Sequence, residues 1–202
     1  MRAHLRLLTA LAISAVIIIG AIAALTLWPR SAKAPPIGGA FALTDQDGRP
    51  VTEQSLLGKP SAVFFGFTSC PDICPSTLLE LTNWLQALGS NADKLNVVFV
   101  SVDSEHDTPE QMKLYISSFD PHIRGYTGTP EQIKQIAAAY RVYYKRVPLD
   151  GGGYTYDHSA MIYLMDKNGQ FVGIVTYKEP EASALAKLRA LVAGKSLPSG
   201  TT

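Results

Sequence analysis

Apolar positions along this chain fall into runs of three kinds. Residues 7–28 are uncharged and almost wholly apolar. As a helix at ~1.5 Å per residue they span about 33 Å, enough for a hydrocarbon core of ~30 Å. Residues 61–67 and 95–102 are short, continuous apolar runs, as expected of strands buried on both faces. From Pro75 the period becomes helical: Leu78, Leu81, Leu85 and Leu88 share a face, and Gly89 stops it. Thr108-Pro109-Glu110-Gln111 and Thr129-Pro130-Glu131-Gln132 each offer an N-cap threonine, a proline at the first helical position and a glutamine at the third. The second of these helices turns Ile133, Ile136, Ala137 and Tyr140 inward. Residues 41–44 and 51–52 flank Asp45-Gln46-Asp47-Gly48 as a hairpin. Residues 142–147, 160–165 and 171–177 read as strands, the last two joined through Asp166-Lys167-Asn168-Gly169. Pro180 opens a closing helix with Leu185, Leu188, Leu191 and Val192 inward.

Strand, helix, strand, helix, then a late hairpin and a closing helix is the order of an α/β, thioredoxin-like domain. The early N-terminal β-hairpin and the helix after Thr129 are additions to it. The expected organisation is a cytoplasmic tail over residues 1–6, a transmembrane anchor over 7–28, a Pro/Gly linker over 29–38, the domain over 39–195 and a flexible tail over 196–202. Ala32-Lys33-Ala34 resembles a signal-peptide cleavage site, but Pro35 would follow the cut and the apolar run exceeds the roughly 7–15 residues of a signal core. An uncleaved anchor is therefore expected. Arg2 and Arg6 favour retention of the short tail on the cytoplasmic side, which puts the domain outside the cytoplasm. So short a tail leaves no room for an organelle transit peptide, so the expected site is a bacterial inner membrane, single-pass, with the domain in the periplasm. Residues 1–33 hold four of the 18 basic and none of the 17 acidic residues, which leaves 14 against 17, a net charge of −3. That balance points away from nucleic acid.

The chain has two cysteines, Cys70 and Cys74, in Cys-Pro-Asp-Ile-Cys-Pro between the first buried strand and the first helix. A static staple closing so short a loop would remove little unfolded-state entropy. A redox-active dithiol, or two thiolates on one metal, is the better reading. Pro75 disfavours helical backbone at Cys74, so Cys74 is expected in the N-cap region, where the helix dipole lowers thiol pKa. Thioredoxin-type enzymes place two residues, not three, between their cysteines, and a cis-proline faces the pair. Here His158 and Ser159 stand where that proline would be expected. Two thiolates and an imidazole would suit an open zinc site or copper, and geometry alone does not separate the metals. Asp157 is a candidate to orient His158. Asp103, at the end of a strand, is a candidate weak ligand or partner contact.

Phe67-Thr68 with the cysteine motif, Ser101-Val102-Asp103 with Asp107-Thr108-Pro109-Glu110, and Asp157-His158-Ser159 together resemble the Sco (SenC/PrrC) family of membrane-anchored copper proteins. The resemblance runs over nearly the whole exported part. It implies that Cys70, Cys74 and His158 hold one copper ion, Cu(I) or Cu(II), within a thioredoxin fold. It further implies a metallochaperone serving the CuA-bearing subunit of cytochrome c oxidase, alongside other periplasmic copper carriers or thiol reductants. Ser104 and His106 depart from the family's usual proline and arginine, which bears on the partner-facing surface rather than on the metal site. Tyr154 and Tyr156 could be partner contacts or rim packing.

Three other functions share these residues, one of them redox- or copper-responsive signalling through the same site. A thiol–disulfide reductase acting on the oxidase subunit's copper-site cysteines would need Cys70 and Cys74 but not His158. A peroxiredoxin-like peroxidase would need a threonine or serine three residues before its attacking cysteine. Phe67 and Pro71 hold those places instead.

Overall fold

The computed structural model describes residues 13–15, 17–20, 22–23 and 36–198. Residues 36–202 form a compact unit distinct from residues 1–35. Among the described residues no helix is long and apolar enough to cross a membrane. The anchor expected at 7–28 lies largely outside them; its described pieces, 13–15, 17–20 and 22–23, are helical. The expected tail 1–6 and most of the linker also lie outside.

Strand β1 (Ala42–Asp45) pairs antiparallel with β2 (Pro50–Thr52), forming the early hairpin. Next come β3 (Ser61–Gly66), α1 (Ile73–Leu88), β4 (Asn96–Ser101), α2 (Pro109–Ile116), β5 (Ile123–Thr127) and α3 (Pro130–Tyr140). After these follow β6 (Tyr144–Pro148), β7 (Tyr154–His158), β8 (Met161–Met165), β9 (Phe171–Thr176) and α4 (Glu181–Val192). Seven strands make one mixed sheet in the order β2-β1-β5-β4-β3-β8-β9. β3, β4 and β5 run parallel at its centre, and β8 closes antiparallel on β3 with Phe64 opposite Ile162.

Every residue of β3 is buried, and β4 is buried from Val97 onward, because the sheet is covered on both faces. On α1 the leucine stripe Leu78, Leu81, Leu85 is at most 2% exposed, and α1 packs against α4. Thr129 and Gln132 form a complete capping box at the start of α3. Thr108 accepts from the Gln111 N–H at the start of α2.

Four features differ from the sequence expectation. β5 was not expected: Arg124 and Gly125 interrupt its apolar pattern, and parallel pairing with β4 supplies its stability. β6 and β7 form a separate two-stranded ribbon, Tyr144 opposite His158, that is not hydrogen-bonded into the main sheet. Gly151, Gly152 and Gly153 turn it, all at positive φ, a conformation that favours glycine. The helix α1 begins at Ile73, before Pro75. Its first intrahelical bond is Ser76 N–H to Asp72 O, so Pro75 occupies one of the positions whose N–H has no helical partner anyway. Finally, Leu197, expected in a frayed tail, packs on the core beside Gly173; residues 199–202 lie outside the described set.

Candidate metal centre

The loop between β3 and α1 is held from below by a buried carboxylate. Asp107, 1% exposed, accepts from the Thr68 N–H at 3.0 Å, the Thr68 hydroxyl at 2.6 Å and the Ser101 hydroxyl at 2.5 Å. Its carbonyl takes the Thr127 hydroxyl at 2.6 Å. One residue thus ties the carboxyl ends of β3, β4 and β5 together beneath the cysteine loop. Burial pushes the Asp107 pKa up, against the hydrogen bonds from Ser101 and Thr68.

Above this support lie Cys70 and Cys74. Cys74 is fully buried in the first turn of α1. A Cβ on Gly66 would come within 2.5 Å of Cys74 Sγ and 2.8 Å of the Phe99 ring, so only glycine ends β3 without displacing that sulfur. Cys70 is half-buried, and its Sγ accepts the Cys74 N–H at 3.4 Å. The two thiols titrate as one pair. Hydrogen bonding from the Cys74 side chain, then from His158 and the helix-start N–H groups, outweighs burial and brings the Cys70 pKa down to about 4. The same interaction with Cys70, together with burial, drives Cys74 far up. The expected lowering therefore falls on Cys70 alone, and Cys74, placed inside the helix rather than at its cap, keeps its proton.

His158 comes from the ribbon. Its Nε2 lies 3.5 Å from Cys74 Sγ. Its Nδ1 lies 3.1 Å from the Ser159 carbonyl, which can only accept. Nδ1 therefore carries a proton, and Nε2 is the ring nitrogen turned toward the sulfurs. The Phe64 and Phe67 rings pack edge-on against the imidazole, at 6.3 and 5.8 Å between centroids. One ligand atom from each of Cys70, Cys74 and His158 falls within 4.8 Å of the others. Among the described residues this is the group of three or more such side chains that could hold a metal ion.

The other candidates lie elsewhere. Asp157 is exposed on β7; strand alternation turns it away from His158, and the Ser159 carbonyl fills the orienting place expected of it. Asp103, 1% exposed, is not in the ligand group. Its carboxylate accepts the Tyr154 hydroxyl at 2.8 Å and lies 3.0 Å from His106 Nδ1, while its N–H donates to the Ser101 hydroxyl. Tyr154 in turn lies 2.7 Å from His106 Nδ1 and beneath the Arg146 guanidinium, 3.5 Å from its ring centre. This cluster fastens the ribbon to the loop after β4. Tyr156 packs against Phe67 at 5.6 Å. Sequence reasoning passed over Gly66, Asp107 and the Ser159 carbonyl as parts of the site; Asp107 alone carried a signal, within the motif after Asp103.

Comparison with known proteins agrees with this geometry. Residues 29–193 match the SCO1/SenC family. Mitochondrial Protein SCO2 of Saccharomyces cerevisiae is 43% identical over 157 residues, which is 76% of this chain and 52% of that protein. The chain thus spans about half the length of that relative. Bradyrhizobium japonicum ScoI, solved with copper bound, is 52% identical with a TM-score of 0.72, over 77% of this chain and 99% of that one. That solved chain is thus little more than the matched domain. Yeast Sco1 with copper bound is 41% identical with a TM-score of 0.73, over 79% of this chain and 90% of that one. With the family match spanning most of its length, the chain belongs to the SCO1/SenC family.

Proposed function

We propose that this protein is a copper metallochaperone that captures one copper ion, Cu(I) or Cu(II), as its cargo through Cys70, Cys74 and His158. The observation that carries this reading is the convergence of two sulfurs and one imidazole nitrogen within 4.8 Å. Thiolate is a soft donor that favours Cu(I), imidazole also suits copper, and a three-donor set leaves room for an incoming ligand. The residues divide the work. Cys70 offers a thiolate at neutral pH and is open to a partner. Cys74 forms the buried base, and binding an ion there requires loss of its proton. His158 presents Nε2 with its tautomer fixed by Ser159. The phenylalanine walls limit water at the imidazole. Copper-bound relatives support the choice of metal.

The family resemblance of the motifs extends the reading. The cargo is destined for the CuA-bearing subunit of cytochrome c oxidase, with other periplasmic copper carriers or thiol reductants upstream. The apolar run over residues 7–28 anchors the chain in a bacterial inner membrane with the domain on the periplasmic side.

The test is an anaerobic copper titration of the reduced domain, wild type beside His158→Ala and Cys74→Ala. One equivalent is expected for the wild type. Loss of partners one layer out costs roughly 10–100-fold in affinity, so each donor loss is expected to cost about a hundredfold or more. Binding that ignores His158 would remove the chaperone reading.

One observation favours a second activity, thiol–disulfide reduction. An accessible low-pKa thiol beside a buried protonated one is the arrangement of an attacking and a resolving cysteine. Cys70 thiolate would open a target disulfide, and Cys74 would then displace the target, whose two thiols leave reduced as Cys70 and Cys74 become a disulfide. Turnover of a disulfide substrate by His158→Ala at the wild-type rate is the outcome that reading requires.

A further inference from the structure

The end of the sheet remote from the cysteines carries a second concavity. It has a volume of about 650 Å³ and lies between the start of β3, the β8–β9 turn and the end of α4. Pro60, Val172, Leu191 and Val192 form its apolar wall, and Lys59, Lys94, Lys167 and Lys195 ring it. Gly194, at φ +65, turns the chain off α4 and places Lys195 on the rim. Asp166 is the one acidic residue lining it, and its carboxylate is engaged within its own turn, accepting from the Asn168 and Gln170 N–H groups at 2.8 Å. Lys59 and Lys94 reach the Asp93 carbonyl and the Asn91 side chain. Among the described residues none of the four lysines is ion-paired with a carboxylate, whereas Lys113 and Lys187 elsewhere are. Large apolar side chains stand exposed at the same end, among them Leu57 at 41% and Val172 at 42%.

The domain also begins here. The Gly38 N–H donates to the Ala139 carbonyl, and a Cβ on Gly38 would meet Met165 at the end of β8 and approach the Gly169 carbonyl of the β8–β9 turn. Residue 36, where the expected anchor and linker give way to the folded unit, therefore lies at the lysine-ringed end. Lysines ringing an apolar hollow with exposed leucine and valine at its edge is a composition suited to the headgroup layer of an anionic bilayer.

We propose that this pocket receives the phosphate headgroup of an anionic phospholipid, seating the domain on the membrane by the end opposite its metal centre. The lysine ammonium groups meet the phosphate, and Leu57 and Val172 enter the acyl boundary. The orientation rests on the anchor reading; the binding does not, and the two can fail separately. Flotation with vesicles uses the domain from residue 36, without residues 1–35. Fractionation of the full chain against that domain in cells tests the anchor by itself.

The wild-type domain is expected to float at low salt with phosphatidylglycerol-containing vesicles and not with pure phosphatidylcholine. Each Lys→Gln change at positions 59, 94, 167 and 195 is expected to weaken binding about fivefold. Lys145→Gln, on β6, is the control and leaves flotation unchanged. Unaltered copper stoichiometry and melting temperature show that the variants are folded. Equal flotation with both vesicle types, or a quadruple variant that floats like the wild type, would overturn the proposal. Displacement from vesicles by millimolar inorganic phosphate at constant ionic strength would mark a free-anion site and overturn the lipid assignment.

Discussion

At the scale of single residues, the two cysteines differ in kind. Cys70 carries the charge of the pair because the Cys74 thiol, His158 and the helix-start N–H groups all face it, and Cys74 keeps a proton because it is buried beside that charge. An ordinary thiol with pKa near ~8.5 loses about tenfold in alkylation rate for each pH unit below that value. Cys70 is expected to react with iodoacetamide at a nearly constant rate from pH 8 downward, slowing only as the pH approaches about 4. Cys74 should stay unlabelled throughout. Peptide mapping of the labelled domain checks both statements. In Cys74→Ala the thiol that donates to Cys70 is gone, so the fall in rate should move to higher pH. The donor residues were legible in the sequence because sulfur and imidazole are written in it, with a spacing and a family motif to mark them. The Ser159 carbonyl was not legible, since every residue has a carbonyl and only the backbone path selects this one. Asp157 was the natural choice in its place, and the alternation of β7 excluded it.

Among the elements, the ribbon decides whether the site exists, because it alone brings His158. It is joined to the main sheet through side chains: Tyr154 on Asp103 and His106, Arg146 on Glu105 at 2.8 Å, and Tyr156 on Phe67. Tyr154→Phe removes one hydroxyl from the buried Asp103 carboxylate, a loss of about 1 kcal/mol. Because the ribbon shares no backbone ladder with the sheet, that loss should fall on the placement of His158. Copper affinity is expected to drop about fivefold with little change in the urea midpoint. A midpoint that falls in step with affinity would show that ribbon and sheet unfold together. The same contrast explains what the pattern of apolar residues could and could not foretell. β3, β4, α1 and α3 owe their structure to apolar runs or stripes and were read from them, except that α1 starts before Pro75. β5 and β7 are held by neighbours: one lies beside β4 with Arg124 and Gly125 in its middle, the other is built from tyrosine, threonine, aspartate and histidine. The glycines at 151–153 were the readable trace of the ribbon's turn.

For the molecule as a whole, closure depends on α4. Lys187 bridges from that helix to Glu179 at 2.7 Å and to the Ile174 carbonyl of β9 at 2.9 Å, with the two charged side chains 12% and 8% exposed. Burial would raise the Glu179 pKa, but Lys187, Ser183 and the Thr176 N–H outweigh it and hold the carboxyl below its usual 4.5. A depressed acid contributes stability that is present above its unfolded pKa and lost as pH falls through its folded one. The domain should therefore lose this contribution below about pH 4.5. Lys187→Met, which strands a nearly buried carboxylate, should cost on the order of 3 kcal/mol at neutral pH. In that variant Glu179 has lost its main stabiliser, so acidification should no longer destabilise through this group. Urea unfolding from about pH 2 to pH 7 measures both. The metal centre and the lysine-ringed hollow lie at opposite ends of the parallel strands, and the six residues of β3 separate them by roughly 20 Å. With the hollow against a bilayer, the sheet becomes a ruler. It fixes the height of the metal centre, within reach of a partner standing about that far above the lipid and beyond reach of one lying flush with it.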